Sequence, residues 1–471
     1  MTAAPFWQLS HAPREGVALI EDGGVTLSWG ELAAQVAQVQ AHLPARALLF
    51  CFCENSAASL TGYLAALNAR TVPVMLDGQL DDALADALQA RWRPGFLWLP
   101  EGREAAGEVL LRLGGYQLIA TGEPAPAMDD ALALLITTSG STGSPKLVRQ
   151  SYQNLISNCK SICDYLAIDA SERPLVYLPM NYVFGLSVIH THLARGATLL
   201  MTRSGPVQPG FWAFVKSQQA TSLAGVPYTF EMLNKLRFMR MTLPSLRTLT
   251  QAGGKLSATL HEAFAAWAQA QDKRFVVMYG ASEATSRMGY LPADLAAALP
   301  GAMGVAIPGG RFTLEDDHGA PINAPDETGE LIYYGPNVCL GYAQERACLA
   351  RGDDFNGRLA TGDLARRDAQ GVYTIVGRKK RFLKVFGNRV GLDELEQLVK
   401  NRFVGLDCAT GGVDDRITLY LTDETQADTV KTWLAQTCQL HHSAFRVVTL
   451  ATIPKNAAGK TLYAQLEALS A

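Results

Sequence analysis

The 471-residue sequence has no long apolar run and no obvious targeting segment. A helix that spans a bilayer needs roughly 20 consecutive apolar residues, and no run in this chain approaches that length. The N-terminus also lacks the basic start and apolar core of a secretory signal peptide. We therefore expect neither a membrane span nor a signal peptide.

The sequence has no excess of charge of either sign. Lys and Arg total 41 against 44 Asp and Glu, which gives a formal net charge of -3. Such a balance provides no general field that would attract nucleic acid or an anionic membrane surface. We expect no nucleic-acid partner, and any anionic ligand must be held by local geometry.

The eight cysteines are scattered and have no metal-binding spacing. Cys51 and Cys53 alternate within a predicted strand, and Cys159 and Cys163 lie one helical turn apart. Neither pair is followed by a second Cys or His pair at zinc-finger distance. The pattern predicts buried, reduced thiols and hence a cytoplasmic protein.

The N-terminal half alternates buried strands with helices. Residues 47–53 and 71–76 are short apolar runs that predict strands, and residues 56–69 between them predict a helix. The pattern resumes with strands over 131–138 and 275–279. Strands joined through helices at this spacing indicate a parallel sheet with helices covering its faces.

The C-terminal part has a different pattern of predicted secondary structure. From about residue 331 the strands are shorter, and after Gly377 the pattern predicts a helix over 392–401, a strand over 417–422, a helix through Trp433 and a strand over 445–450. The chain is too long for one compact core. We predict an α/β protein: a large N-terminal domain of layered sheets and helices, residues 1–377, and a small mobile α+β domain, residues 378–471.

The strongest local signal is the segment 137–146, TTSGSTGSPK, which directly follows a predicted buried strand. Small hydroxyl residues interleaved with glycines allow backbone N–H and side-chain O–H groups to surround a polyphosphate, and Lys146 adds a positive charge. Composition alone fits a surface loop equally well. A P-loop is excluded because Pro145 occupies the position of its second glycine.

This loop resembles the phosphate-binding signature of the adenylate-forming superfamily, which includes acyl-CoA synthetases, firefly luciferase and peptide-synthetase adenylation domains. Further segments resemble other signatures of that superfamily in the family's order: 178–185, 252–256, 279–283, 304–309, 329–331, 335–342, 361–363, 377–378 and 459–460. The resemblance implies an AMP-forming ligase that uses ATP and Mg²⁺. A carboxylate oxygen of the acid attacks the α-phosphorus of ATP, pyrophosphate leaves, and the acyl group then passes to an acceptor.

The resemblance also implies how the nucleotide is bound. Tyr279 is expected to lie against adenine, and Asp363 to accept hydrogen bonds from the ribose hydroxyls. The full set of implied ATP- and AMP-binding residues is Thr138, Ser139, Gly140, Ser141, Thr142, Gly143, Lys146, Gly254, Tyr279, Gly280, Asp363 and Arg378.

Three residues are implied to be catalytic. Lys460, from the small domain, matches the lysine that bridges the reacting carboxylate and the phosphate; Glu283 matches the Mg²⁺ ligand; and Ser282 is placed to donate to the α-phosphate. Lys380 matches the hinge, where rotation would withdraw Lys460 after adenylation. A charge pair at 4 Å is worth about 1 kcal/mol in water but about 4 kcal/mol at an effective dielectric of 20, so Lys460 acts strongly only when the small domain is closed.

The implied acyl pocket contains Tyr182, Val183, Phe184, Gly225 and Gly253. Peptide-synthetase domains for α-amino acids carry an Asp directly after the pocket aromatic, to hold the ammonium group. Aligned on Tyr182, this chain has Val183 there, and an unpaired buried ammonium is costly. We therefore expect a fatty, aryl or other acid without a free α-amine. A shift of one residue would bring Asn181 into an aryl-acid pocket.

The acceptor is less clearly indicated. Leu147 replaces the usual glycine after Pro-Lys, and the small domain is short. These two departures favour a carrier-protein phosphopantetheine thiol over CoA as the acceptor. An amine or hydroxyl acceptor is a further alternative. A non-catalytic nucleotide-binding relative is disfavoured because Lys460, Glu283 and Asp363 are all present. His190 and His192 lie among apolar residues and are expected to be packed rather than catalytic.

Overall fold

The computed structural model describes residues 4–137, 146–379, 381–386, 388–438, 440–456 and 459–470. Within these ranges the chain forms eleven α-helices: α1 (Trp29–Gln40), α2 (Ala57–Ala69), α3 (Asp82–Trp92), α4 (Tyr152–Leu166), α5 (Val183–Leu193), α6 (Pro209–Ser217), α7 (Pro227–Lys235), α8 (Ala258–Ala270), α9 (Leu392–Arg402), α10 (Ala427–Thr437) and α11 (Tyr463–Ser470). None of the described helices is long and apolar enough to cross a membrane.

The strands outnumber the helices and are mostly short. The described residues form β1 (Val17–Glu21), β2 (Thr26–Ser28), β3 (Leu48–Cys53), β4 (Val72–Asp77), β5 (Phe96–Pro100), β6 (Glu108–Leu113), β7 (Tyr116–Ala120), β8 (Leu132–Thr137), β9 (Leu147–Ser151), β10 (Pro174–Val176), β11 (Leu199–Met201), β12 (Ser222–Gly225), β13 (Thr248–Gln251), β14 (Arg274–Tyr279), β15 (Gly289–Tyr290), β16 (Val305–Ala306), β17 (Arg311–Glu315), β18 (Pro321–Ile322), β19 (Thr328–Tyr334), β20 (Tyr342–Ala343), β21 (Arg358–Arg367), β22 (Tyr373–Arg378), β23 (Phe382–Val385), β24 (Asn388–Gly391), β25 (Cys408–Val413), β26 (Arg416–Leu421) and β27 (Phe445–Thr449).

Two large sheets form the body of the N-terminal part. The first has the strand order β20-β9-β8-β4-β3-β5-β7-β6, and the second β16-β15-β14-β13-β12-β10-β11-β1-β2. Their central strands pair in parallel: β3 with β4, β4 with β8, β12 with β13, and β13 with β14. The prediction of a parallel sheet from the strand–helix–strand spacing is therefore confirmed.

The helices cover both faces of these sheets. Residues of both sheets share one hydrophobic cluster with α1, α2, α4 and α5, so these helices are the layer between the sheets. Along β3, Leu49 and Cys51 belong to that cluster, while Leu48 and Phe50 face the other side and pack with α3. Helices α6, α7 and α8 cover the outer face of the second sheet. Burial on both faces explains why the strands read as continuous apolar runs.

The remaining sheets are smaller. A five-stranded antiparallel sheet has the order β18-β17-β19-β21-β22, and the C-terminal unit contains the three-stranded sheet β25-β26-β27. Helices α9 and α10 pack on that small sheet in a cluster of its own. The predicted fold class, a large α/β domain followed by a small α+β domain, is confirmed.

Local signals in the sequence placed many elements well. The predicted strands 47–53 and 71–76 appear as β3 and β4, and the predicted helix 56–69 appears as α2 with Ser56 as its N-cap. All eight cysteines are free; six are buried, and Cys348 and Cys438 are half-buried.

Candidate active site

The turn after β14 carries three of the predicted site residues. Tyr279 ends the strand, Gly280 follows, and residues Ser282–Ala284 form a single 3₁₀ turn. A Cβ atom on Gly280 would lie 1.8 Å from the carbonyl oxygen of Ser286, so only glycine fits where the chain doubles back. This fold of the backbone presents Ser282 and Glu283 beyond the carboxyl end of the parallel sheet.

Tyr279, Asp363 and Arg378 meet in one cluster. The Tyr279 hydroxyl donates to Asp363 Oδ2, and Arg378 Nε donates to Asp363 Oδ1 at 3.1 Å. Asp363 and Arg378 are direct cross-strand partners on β21 and β22. The structure therefore brings together three residues that were predicted to bind the nucleoside.

Burial dominates the electrostatics of this cluster. Burial raises the pKa of Asp363, and the nearby charge of Arg378 opposes that rise. Burial together with the Asp363 charge raises the pKa of Tyr279 well above its ordinary value, so its hydroxyl remains a donor. A charged carboxylate held in such surroundings is costly to folding, which is typical of a residue retained for binding.

Glu283 is held by an aromatic residue that the sequence did not single out for a role. The hydroxyl of Tyr342 donates to Glu283 Oε1 at 2.7 Å, and Lys146 Nζ lies 5.1 Å from the centroid of the Tyr342 ring. Tyr342 thus lies between Glu283 and Lys146, the last residue of the predicted phosphate-binding segment. The predicted loop residues themselves lie outside the described residues: Thr138, Ser139, Gly140, Ser141, Thr142 and Gly143.

The carboxylate of Glu283 fits a magnesium ion that is shared with phosphate. Among the described residues no group of three His, Cys, Asp or Glu side chains could hold a metal by itself. Mg²⁺ commonly binds through one or two carboxylates plus substrate phosphates and water. A single carboxylate oriented by Tyr342 matches that mode.

Lys460 reaches the site from the small domain. Its backbone N–H donates to Asn456 Oδ1 at 2.9 Å, and its Nζ lies 5.9 Å from the centroid of the Tyr182 ring. Burial lowers the pKa of Lys460, with a further lowering from Arg378, whereas Glu283 and Asp363 raise it. The lysine therefore shares one electrostatic environment with the predicted nucleotide-binding and metal-binding residues.

The loop that carries Lys460 rests on the large domain. Gly459 has φ +74, and a Cβ there would lie 3.0 Å from Val226 Cγ2. Lys455 lies 5.1 Å from the centroid of the Tyr228 ring and forms an ion pair with Asp407 at 2.6 Å. Gly459 and Lys455 thus contact the large domain at Val226 and Tyr228, whereas the ion pair with Asp407 lies within the small domain.

A pocket lies between α4, α5 and strands β12–β14 of the second sheet, with about 500 Å³ of empty space that includes space open to solvent. Its wall is mostly apolar and includes Phe184, Val188, Ala224 and Met278. Tyr182 caps α5, and its hydroxyl lies 2.6 Å from where a Cβ of Gly253 would be. Tyr182 and Gly253 thus stand together beside Lys460.

The other predicted acyl-pocket residues occupy different surroundings in the structure. Val183 is the first residue of α5 and lines a separate cavity of about 270 Å³, whereas Phe184 lines the larger one, because successive residues of a helix face about 100° apart. A Cβ on Gly225 would meet Thr229 and Phe230 at 2.9 Å, and its neighbour Ala224 lines the larger cavity. Gly254, predicted to border the nucleotide, packs near Pro227, whose Cγ would lie 3.2 Å from a Cβ on that glycine.

Arg287 is a cavity residue that the sequence analysis missed. It follows the Glu283 turn, is buried, and lies with its guanidinium 4.0 Å from the centroid of the Phe184 ring. A charged residue between Ser286 and Met288 belongs to no recognised motif. Thr285 and Ser286 precede it and Met288 follows it, so its local sequence gives no signal that sets it apart from an exposed loop arginine.

The two histidines of α5 are packed, as predicted. His190 Nε2 lies 2.8 Å from the Tyr63 hydroxyl, and the His190 ring stacks on Phe6 at 4.1 Å. His192 Nδ1 lies 2.7 Å from the carbonyl oxygen of Val188. Burial lowers the pKa of His190 to about 3 and that of His192 to about 4, so both are neutral.

The predicted hinge residue Lys380 lies outside the described residues, but both neighbours are described. Lys379 Nζ binds Glu330 Oε2 of the large domain at 2.9 Å. Arg381 Nη2 binds Glu396 Oε1 of the small domain at 2.8 Å. The two sides of residue 380 are therefore anchored to different domains.

Comparison with known proteins gives the family. A model of the AMP-binding enzyme family matches residues 6–343. The chain is 29% identical over 421 residues to a feruloyl-CoA synthase from Amycolatopsis sp, covering 84% of this chain and 82% of that enzyme. Its fold matches o-succinylbenzoate CoA synthetase from Bacillus subtilis in complex with the acyl-adenylate OSB-AMP, with TM-score 0.80, 22% identity and 99% of both chains covered. A structure of that synthetase with ATP and magnesium ion matches with TM-score 0.81, 22% identity and 98% and 99% coverage.

The class of protein is thereby defined as an AMP-forming acid–thiol ligase that uses ATP and Mg²⁺. The chain belongs to the AMP-binding enzyme family.

Proposed function

We propose that Lys460, Glu283 and Ser282 form the adenylation centre, with Lys460 bridging the reacting carboxylate and the α-phosphate. The observation that carries this proposal is the convergence of Lys460, from the C-terminal unit, with Tyr182 and the Glu283 and Asp363 carboxylates of the large domain. The carboxylate oxygen of the acid forms a bond to the α-phosphorus, and the bond to pyrophosphate breaks. A buried ammonium at that point offsets the negative charge that builds in the transition state.

The nucleoside is held by Tyr279, Asp363 and Arg378 in this proposal. Asp363 offers its carboxylate oxygens to the ribose hydroxyls, while Tyr279 and Arg378 fix the orientation of that carboxylate through the hydrogen bonds described above. Gly254 and Gly280 are proposed to border the nucleotide through their backbone, since a Cβ on either would meet the protein itself, at Pro227 and at Ser286. Glu283, oriented by Tyr342, would hold Mg²⁺, which neutralises phosphate charge when bound.

The acyl group would pass to a thiol after the small domain turns about Lys380, two residues beyond the end of β22 at Arg378. The anchoring of Lys379 to Glu330 and of Arg381 to Glu396 supports a pivot between them. The thiol sulfur attacks the acyl carbon, AMP leaves, and the thiol proton is released. We propose CoA as the thiol, since the relative named above is a CoA synthase; a carrier-protein phosphopantetheine is the second candidate.

The acid is proposed to have an aryl or alkyl skeleton and no free α-amine. The wall of the larger cavity is mostly apolar, and the ring of Tyr165 beside it stacks on Tyr290 at 4.2 Å. The buried carboxylate on that wall, Glu172, already accepts from the Thr221 hydroxyl and faces Arg247 at 3.7 Å. An ammonium group would find no available acidic partner there among the described residues.

ATP–pyrophosphate exchange with a panel of fatty, aryl, hydroxy and amino acids tests the proposal. Wild type should exchange with one acid class, and Lys460→Ala should lose roughly a hundredfold to a thousandfold in rate. Lys431→Ala, on α10 of the same small domain, is the matched control and should retain activity. Equal exchange by wild type and Lys460→Ala would refute the role given to Lys460, and exchange with α-amino acids alone would refute the acid class.

A further inference from the structure

Arg287 is a buried cation on the wall of the acyl cavity. The residue is 3% exposed, and its guanidinium carbon lies 4.0 Å from the centroid of the Phe184 ring. Phe184 and Arg287 both line the cavity of about 500 Å³. The guanidinium therefore belongs to the space in which the acid is proposed to bind.

No acidic side chain among the described residues forms an ion pair with Arg287. The ionisable groups that face it are the phenols of Tyr165 and Tyr182, and burial lowers the pKa of Arg287. Its Nη1 donates to Ser286 Oγ at 2.6 Å, but its Nε has no hydrogen-bond partner in the part of the chain that the structure describes.

Two other arginines, the buried Arg149 and the half-buried Arg381, have acidic partners. The Arg149 side chain is fully buried, and its Nη2 binds Asp354 Oδ2 at 2.7 Å together with the carbonyl oxygen of Leu340 at 2.6 Å. Arg381 binds Glu396 Oε1 at 2.8 Å. A guanidinium stays protonated in a protein, and burying it without a counter-ion costs several kcal/mol. Arg287 differs from these two because no described residue supplies its counter-ion.

We propose that Arg287 binds a second carboxylate of the acid, so that the substrate class is a dicarboxylic acid with an alkyl or aryl skeleton. This inference rests on the proposed adenylation of an acid in the same cavity. The planar guanidinium matches a carboxylate better than other anchors do, since it donates two parallel hydrogen bonds. Phe184, Val188 and Met278 enclose the skeleton between the two carboxylates.

The two carboxylates have separate partners. The reacting one is assigned to Lys460, whose Nζ lies 5.9 Å from the centroid of the Tyr182 ring. Tyr182 also interacts with Arg287, so the ring stands near both cations. A monoacid of the same skeleton would leave the Arg287 charge buried and unpaired, which disfavours its binding.

Matched acid pairs test the inference: hexanoate against adipate, and benzoate against isophthalate, each in ATP–pyrophosphate exchange. Wild type should prefer the diacid of at least one pair by about tenfold or more in kcat/KM, the discrimination expected when a charged group loses its partner. Arg287→Met should lower kcat/KM for that diacid by at least tenfold more than for the matched monoacid. Arg195→Met, which removes an exposed arginine just after α5, is the control for loss of positive charge.

A binding measurement without turnover keeps the test independent of catalysis. The diacid should raise the melting temperature of wild type and of Arg195→Met but not that of Arg287→Met, which must itself melt cooperatively. Equal losses for mono- and diacid in Arg287→Met, or an equal thermal shift in all three proteins, would overturn the inference. If the wild type exchanges with monoacids in preference to every diacid, the role given to Arg287 is overturned but adenylation still stands. If no acid supports exchange, while a diacid raises the melting temperature only when Arg287 is present, the result counts against adenylation and not against diacid binding.

Discussion

Tyr279 and Asp363, which are 84 residues apart in the chain, are joined by a hydrogen bond from the phenol to Oδ2. Tyr279 ends the central parallel strand β14, and Asp363 lies on β21 of the antiparallel sheet. The bond therefore connects two sheets at the place where the nucleoside is proposed to bind. The side chain of Asp363 is 13% exposed, so part of it remains accessible to a ligand.

Asp363→Asn should weaken ATP binding without lowering stability. Hydrogen bonds to a buried charged group are worth about 1.5 to 3 kcal/mol, which corresponds to a rise of roughly tenfold to a hundredfold in KM for ATP. Burial raises the pKa of Asp363, which means that the folded protein disfavours its charge; a neutral amide should not lower the melting temperature. KM for ATP and the melting temperature are the two measurements.

Tyr279→Phe is the matched comparison for that experiment. It removes one donor to Asp363 and leaves the ring, so KM for ATP should rise less than tenfold. If Asp363→Asn leaves KM for ATP unchanged, or raises it less than Tyr279→Phe does, the carboxylate does not contact the nucleotide.

A hydrogen bond between two sheets, such as the one between Tyr279 and Asp363, could not be predicted from local sequence patterns. Strand β4 was placed within one residue because a buried apolar run is a local signal, and helix α2 was placed within one residue of its observed start. The Tyr279–Asp363 bond depends on how two sheets pack, which no local pattern encodes. The resemblance to a family supplied both residues as nucleotide ligands, but not the bond between them.

Lys460 should give adenylation an alkaline limit. Its ammonium must be protonated to stabilise negative charge, and burial lowers its pKa from the ordinary lysine value. As the pH rises through that lowered pKa, the proton is lost and kcat/KM for pyrophosphate exchange should fall, at a pH below the value for a free lysine. A profile of kcat/KM against pH in the alkaline range measures this limit.

Lys460→Arg separates this lysine from other titrating groups. A guanidinium stays protonated throughout the range, so the alkaline fall should move to higher pH or disappear, whatever the absolute rate of the variant. An alkaline limit that is the same in both proteins would assign it to another group.

Lys380→Pro should separate the two half-reactions. Proline fixes φ and removes a backbone donor, so it restricts rotation between Lys379, anchored to Glu330, and Arg381, anchored to Glu396. Pyrophosphate exchange should persist, because the structure already holds Lys460 over the site, while thioester formation falls at least tenfold. Lys380→Ala, which keeps backbone freedom, should retain both activities, and thioester formation at the wild-type rate in Lys380→Pro would place the pivot elsewhere.

The predicted acyl-pocket segment shows that a sequence position does not by itself decide which cavity a side chain faces. Residues 178–185 were identified as the pocket segment, yet Val183 lines the smaller cavity and Phe184 the larger one. Helix α5 begins at Val183, and the direction of each side chain is decided by where the helix starts. Arg287 was missed for a related reason, because its burial is set by the turn around Gly280 and by no motif of its own.

Gly253→Ala should disturb the acid site through Tyr182. Gly253 has φ +83, and a Cβ there would lie 2.6 Å from the Tyr182 hydroxyl and 3.0 Å from Val226 Cγ1. The collision should push the ring away from Lys460 and lower kcat/KM for the acid by about tenfold or more, since displacements near 1 Å are costly in an active site.

The backbone strain and the collision can be measured separately. Gly319→Ala places alanine at φ +80 in a turn where nothing lies within 4 Å of the new Cβ, so it reports the strain alone and should leave kcat/KM near wild type. Adding Tyr182→Phe to Gly253→Ala removes the atom that the new methyl group meets. The double variant should regain part of the lost kcat/KM; if it is no more active than Gly253→Ala, the glycine is needed for its backbone conformation and not for the space it leaves to Tyr182.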